Sequence, residues 1–266
     1  MPWRRAFTNK NTLKMKFNIL FAVSLLLTLP GILHAQYSTM EQWETLPRQL
    51  ISKDSISHDG FTLIMANDDP AFNVATIKRI EALFFIIYPA EVSTFNPNAP
   101  KKVVLFIDTA FNTIAASAGH TTHINPPWLR QNPEDIDLVT HELMHLVQGY
   151  PNSHGTSPWL TEGIADYARY VFGINNGPAN WAVPDYNSSQ HYYDSYRVTA
   201  RFLGWLEAHG YKGIVKKLDT AMREDTYNDD TWKKVTGKYV DELWREYAAN
   251  QRSKNIRDPS KDDNHY

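Results

Sequence analysis

The chain contains no cysteine. That excludes disulfides, thiolate metal sites and a cysteine nucleophile, so any metal site must be built from histidine and carboxylates. Long apolar stretches are also missing: the run Ile19–Leu29 is too short for a comfortable membrane span. There is no surplus of positive charge, with 27 Lys and Arg against 29 Asp and Glu. Without a basic footprint, a nucleic-acid partner is excluded. No internal repeat is present, which excludes a solenoid or propeller.

What is present is a chain of 266 residues, 42% hydrophobic and 13% aromatic. This is enough for one sizeable core and fits a single domain, with room for two lobes. Arg4, Arg5, Lys10, Lys14 and Lys16 precede the apolar run, and Pro30, Gly31 and Ala35-Gln36 follow it. The pattern is that of a signal peptide, residues 1–35, cut after Ala35, with Met15 as an alternative start. The expectation is a secreted or periplasmic protein with no stable membrane insertion after leader removal. Cleavage takes away five cations and no acids, leaving 22 basic and 29 acidic residues and a formal charge of −7. Residues 36–58 read as a polar lead-in, 59–250 as the folded domain, and 251–266 as a charged, disordered tail.

Strands are expected at Gly60–Met65, Lys102–Ile107, Ile114–Ala118 and Thr121–Asn125. A helix is expected over Phe72–Tyr88, with Ile77, Ile80, Leu83 and Phe84 on one face. Further helices follow at Ser195–Ala208, Gly213–Met222 and Val240–Ala249, after a long loop at Asn175–Ser189 that marks a functional segment. Strands with one helix first, then helices, argue an α+β fold.

The most informative stretch is His141-Glu142-Leu143-Met144-His145, an H-E-x-x-H motif. On a helix, residues four apart share one face, so both imidazoles can meet one metal at roughly 2.0–2.1 Å. Glu142 stands beside that point and can take a proton from a water activated there without being a ligand. Two histidines and an open position select Zn2+. Asn132 as N-cap, Pro133 at the first helical position, and Glu134 and Asp135 beside the positive dipole end signal the helix start. Ile136, Val139, Leu143 and Val147 supply its buried face, and Gly149 and Pro151 end it.

Sixteen residues separate His145 from Glu162. Ser157 and Pro158 open a second helix there, on which Glu162 and Asp166 are four apart and share a face. A carboxylate one helix away is the usual third zinc ligand, and a second can orient a ligand histidine from behind. Helix spacing alone allows either acid to face the metal.

Here the chain resembles a known family, the plant basic secretory proteins, also called peptidases of plants and bacteria. The resemblance rests on HELMH followed by Glu162-Gly163-Ile164-Ala165-Asp166-Tyr167-Ala168-Arg169, by Tyr196-Arg197-Val198-Thr199-Ala200-Arg201-Phe202-Leu203, and by Gly237-Lys238-Tyr239-Val240-Asp241-Glu242-Leu243-Trp244. It runs from about Phe61 to Tyr247. It implies a gluzincin-like, zincin-type fold: a mixed sheet with the active-site helix, then a mostly helical C-terminal lobe. It also implies His141, His145 and Glu162 as metal ligands and Asp166 behind His141. Arg197 replaces the family's usual Asp, and the mature chain is acidic where plant relatives are basic.

The expected chemistry is hydrolysis of peptide bonds in a peptide or protein substrate, with Glu142 as general base. Candidate donors to the developing oxyanion are His191, Tyr192, Tyr193 and Tyr196; Tyr196 is favoured because it matches the family's Tyr-x-Val-Thr pattern. Other zincin patterns fail. Gln148 and Pro151 occupy the Gly and third His positions of a metzincin, and H-x-x-E-H is absent. His154 is a rival ligand in the connecting loop, while His120 and His123 read as a polar edge or cleft rim. No acidic motif upstream would capture a substrate amine, which favours an endopeptidase over an aminopeptidase. The competing class is a secreted zincin-fold binding protein without turnover, for which an intact Glu142 has no use.

Overall fold

The computed structural model describes residues 40–47, 49–151 and 157–257. The expected leader, residues 1–35, and His154 lie outside the described residues. The elements run α1 (Met40–Glu44), β1 (Ser52–His58), β2 (Phe61–Asn67), α2 (Val74–Thr94), β3 (Lys102–Ile107), β4 (Ala115–Ala118), β5 (Thr121–Ile124), α3 (Pro126–Gln131), α4 (Leu138–Gln148), α5 (Pro158–Phe172), α6 (Tyr196–Ala208), α7 (Ile214–Arg223), α8 (Asp230–Thr236) and α9 (Val240–Arg257). A 3₁₀ turn at Tyr192–Asp194 precedes α6. The architecture is mixed α+β, a central sheet followed by helices.

The five strands lie in the order β1-β2-β3-β5-β4. β2, β3 and β5 are parallel, while β1 and β4 pair antiparallel at the two edges. Alternation along the strands divides the sheet into two faces. Leu63 and Met65 of β2 and Val103, Leu105 and Ile107 of β3 enter the main core with α2, α4 and α5. Ala66, Val104 and Phe106 point the other way and are covered by Leu46 and Leu50. The apolar face read for α2 is buried as the pattern requires: Ile77, Ile80, Leu83 and Phe84 are all in the core.

The structure corrects the expected boundaries at both ends. Residues 36–58 are not merely a lead-in. β1 pairs with β2 residue for residue, and Trp43 is buried on the outer face of the sheet. The indole Nε1 of Trp43 donates to the Thr121 carbonyl at 3.1 Å. Its own carbonyl lies 2.8 Å from His123 Nε2, whose other ring nitrogen is 2.8 Å from Asp108 Oδ2. His123 is therefore no rim residue; it is a buried post under the N-terminal segment. His120 pairs with Glu44 at 2.8 Å. At the other end α9 continues to Arg257, so the first part of the supposed disordered tail 251–266 is helical.

The start of the motif helix also differs. Asn132 closes the short α3, donating its N–H to Trp128. α4 begins only at Leu138 with Asp137 as N-cap. Glu134 and Asp135 are drawn into tertiary contacts instead of the helix: Glu134 pairs with Arg79 at 2.6 Å, and Asp135 accepts from Trp128 Nε1 at 2.8 Å and from Arg169. Asp137, fully buried, accepts from the Thr140 hydroxyl at 2.8 Å and from the backbone N–H groups of Ile174 and Asn175. Carboxylates with cationic or amide partners outside the helix are held in the preceding loop, which delays its start.

Candidate metal and catalytic site

α4 and α5 cross so that His141, His145 and Glu162 offer one ligand atom each to a common point. His141 Nε2 and His145 Nε2 are 3.1 Å apart, and Glu162 Oε2 lies 3.2 and 3.5 Å from them. Atoms bound tetrahedrally at 2.0–2.1 Å from one ion stand about 3.3 Å apart. The triangle therefore has the size that a tetrahedral zinc site needs.

The opposite ring nitrogens are occupied. His141 Nδ1 is 2.7 Å from Asp166 Oδ1, and His145 Nδ1 is 2.7 Å from Gln148 Oε1. Both acceptors hold a proton on Nδ1, which leaves Nε2 with its lone pair toward the shared point. In the sequence Gln148 reads only as a mismatch to the metzincin Gly position, although it lies three residues from His145 on the same helix turn. It also donates to the Thr161 carbonyl at 2.9 Å, tying α4 to the first turn of α5.

Electrostatics of the cluster follow from burial against charge. Burial lowers the tendency of His141 to ionise, but Asp166 and Glu162 outweigh it and raise its pKa well above the ordinary value. Burial pushes Glu162 up; the two imidazoles beside it bring it below the usual carboxylate range. Such a site collects negative charge around imidazole lone pairs, the donor set that a borderline-soft divalent ion replaces protons in.

Glu142 follows His141 on α4 and is 7% exposed. Burial raises its pKa against the opposing pull of His145 and His141. Its Oε2 accepts from Ser117 Oγ, on the edge strand β4, at 2.9 Å.

Gly163, beside Glu162, has a steric reason. A Cβ there would lie 2.2 Å from Thr199 Cγ2 on α6. Glycine lets α5 and α6 approach closely, and Thr199 in turn donates to the Tyr192 carbonyl at 2.6 Å. Arg169, at the end of the same motif, is structural: it pairs with Asp135, donates to Asn176 at 3.1 Å and covers the Trp181 ring at 4.4 Å.

Of the four candidate donors, Tyr196 stands at the cluster. Its ring stacks on that of His141 at 6.2 Å between centroids, and it is 45% exposed. It is the first residue of α6 and has φ 47°, after Ser195 at φ 69°. Two consecutive left-handed non-glycine residues are strained, and such strain concentrates at functional sites. His191 and Tyr192 instead join an aromatic cluster with Trp244, and Tyr193 stacks on His191.

Residues 80–247 match the family described as peptidase of plants and bacteria. The chain belongs to that family. The match begins within α2, ends within α9 and includes both motif helices, α4 and α5. No curated protein matches the chain. Among solved structures, the crystal structure of an aminopeptidase N family protein from Idiomarina loihiensis is similar at 11% identity and a TM-score of 0.44, over 71% of this chain. The chain corresponds to 44% of the length of that protein. Among the described residues, no helix is long and apolar enough to cross a membrane.

Proposed function

We propose that this member of the peptidase family is a secreted, zincin-like zinc metallopeptidase that cleaves peptide bonds within protein or peptide chains. His141, His145 and Glu162 would hold the ion, and Asp166 would fix His141 from behind. The observation that carries the reading is the triangle of ligand atoms at 3.1, 3.2 and 3.5 Å, with both Nδ1 atoms already engaged. A zinc ion in that triangle would supply Lewis-acid activation of water and of the scissile carbonyl. Glu142 takes the proton of the attacking water and passes it to the leaving amine. Tyr196, exposed beside His141, donates to the developing oxyanion. β4 is one of the two edge strands of the sheet and touches Glu142 through Ser117, so an extended substrate segment can pair with it next to the base. An edge strand suits internal stretches of chain, which supports the endopeptidase assignment. Secretion rests on the leader pattern of residues 1–35, and the mature N-terminus should begin near Gln36.

The deciding experiment combines metal analysis of the purified protein with digestion of a mixed peptide library by the wild type and Glu142→Gln. Glutamine is nearly isosteric but cannot accept the proton. About one zinc per chain in both proteins, with internal cleavages by the wild type alone, is expected. Zinc without cleavage by the wild type would instead identify a binding protein, and undiminished activity of Glu142→Gln would remove the general-base role.

A further inference from the structure

Ser117 sits on β4 directly opposite Thr122 on β5. Its Oγ lies 2.7 Å from Thr122 Oγ1 and 2.9 Å from Glu142 Oε2. A serine hydroxyl has one hydrogen, and an ionised carboxylate only accepts. The hydrogen of Ser117 therefore goes to Glu142, and its lone pair accepts the hydrogen of Thr122. The chain of bonds has one direction: Thr122 to Ser117 to Glu142. Thr122 is fully buried, and Glu142 nearly so, so water does not compete at its inner end. In such surroundings a bond to a charged acceptor is strong and its donor is polarised by the next.

We propose that Ser117, backed by Thr122, is the positioning residue of the general base. It fixes Oε2 and leaves Oε1 as the oxygen that receives the proton of the attacking water. The proposal rests on Glu142 being that base. A glutamate has three side-chain torsions, and a base must be held to within about 0.5 Å of its productive place. The helix alone does not do this. The sheet does, through a hydroxyl on the strand nearest the base, so the base is registered to the sheet edge as well as to its own helix.

The test is a cycle of Ser117→Ala, Thr122→Val and the double variant, with Ser117→Thr as the conservative control, on the zinc-loaded full chain and a mixed peptide library. Ser117→Ala should lower kcat roughly 10–100-fold with KM within about 2-fold, the size expected for a lost bond to a charged group. Zinc content should be unchanged and the variant should stay folded, with a lower thermal midpoint because two buried groups lose a partner. Ser117→Thr should keep most of the activity. Thr122→Val should cost less, and its effect should vanish in the Ser117→Ala background because the relay is already cut. Should Ser117→Ala fail to fold, Thr122→Val, whose hydroxyl bonds only to Ser117 among the described residues, gives the same reading through kcat. Unchanged kcat in Ser117→Ala, a loss confined to KM, or additive losses in the double variant would overturn the proposal. If Glu142→Gln is inactive while Ser117→Ala is fully active, the positioning role falls and the base stands; if Glu142→Gln is active, both fall.

Discussion

Asp166 Oδ1 lies 2.7 Å from His141 Nδ1, on the ring nitrogen that faces away from His145. Glu162, one helix turn earlier, reaches the other nitrogen of the same ring at 3.2 Å. Two acids on one face of α5 thus address opposite sides of one imidazole. On the proposed ligand set, Glu162→Ala would leave only two ligands and should lose zinc almost entirely. Asp166→Ala would keep all three proposed ligands and should bind zinc about 10–100-fold more weakly. Zinc titrations of the two variants check this; the reverse order would exchange the roles.

Gly163→Ala should destabilise the protein even though alanine is the better helix former. The propensity gain is about 1 kcal/mol. Against it stands a methyl group 2.2 Å from Thr199 Cγ2, an overlap of the kind that costs typically about 1–3 kcal/mol. The clash should win, and α6, with Tyr196 at its start, should move. Denaturant unfolding would show the loss, and Thr199→Ser in the same chain should relieve it only in part, because Thr199 Cβ would itself lie 2.5 Å from the new methyl group. An increase in stability for Gly163→Ala alone would contradict the close packing of the two helices.

Glu91 on α2 is fully buried, and neither carboxyl oxygen has a hydrogen-bond partner among the described residues. Burial raises its pKa well above the ordinary value, with Asp137 adding to the effect and His141 opposing it. The folded state therefore holds this proton more tightly than the unfolded state. Its contribution is complete below the ordinary carboxylate range and is lost as pH rises through the folded pKa. Glu91→Gln has no such proton, so its stability should fall less between pH 4.5 and alkaline pH than that of the wild type. Thermal midpoints measured across that range should diverge in favour of the variant; superimposable curves would show that Glu91 is not the titrating group.

Trp43 anchors the N-terminal segment over His123. Trp43→Ala should cost about 3 kcal/mol, the usual scale for removing a buried tryptophan. It would uncover the outer sheet face around Phe106 and His123. A denaturant midpoint equal to that of the wild type would mean that residues 40–47 are not part of the folding unit.

The sequence by itself determined the local chemistry and the phase of each element. The four-residue spacings of His141 with His145 and of Glu162 with Asp166, the Ser157–Pro158 start of α5 and the left-handed Gly149 that closes α4 are properties of neighbours along the chain. β3 runs over the same residues, Lys102–Ile107, that its apolar composition marks. Tertiary structure decided what crosses between elements. Helix spacing leaves Glu162 and Asp166 equivalent; only the crossing of α4 and α5 sends one to Nε2 and the other to Nδ1. Glu134 and Asp135 look like helix-start acids until Arg79 and Arg169 draw them away. Ser117 is an unremarked residue in a weak strand until the sheet edge carries it to Glu142, and His123 reads as a rim residue until Trp43 covers it. Periodicity fixes the direction of a side chain around its own axis, but its partner depends on how axes pack, and that is set by the core as a whole.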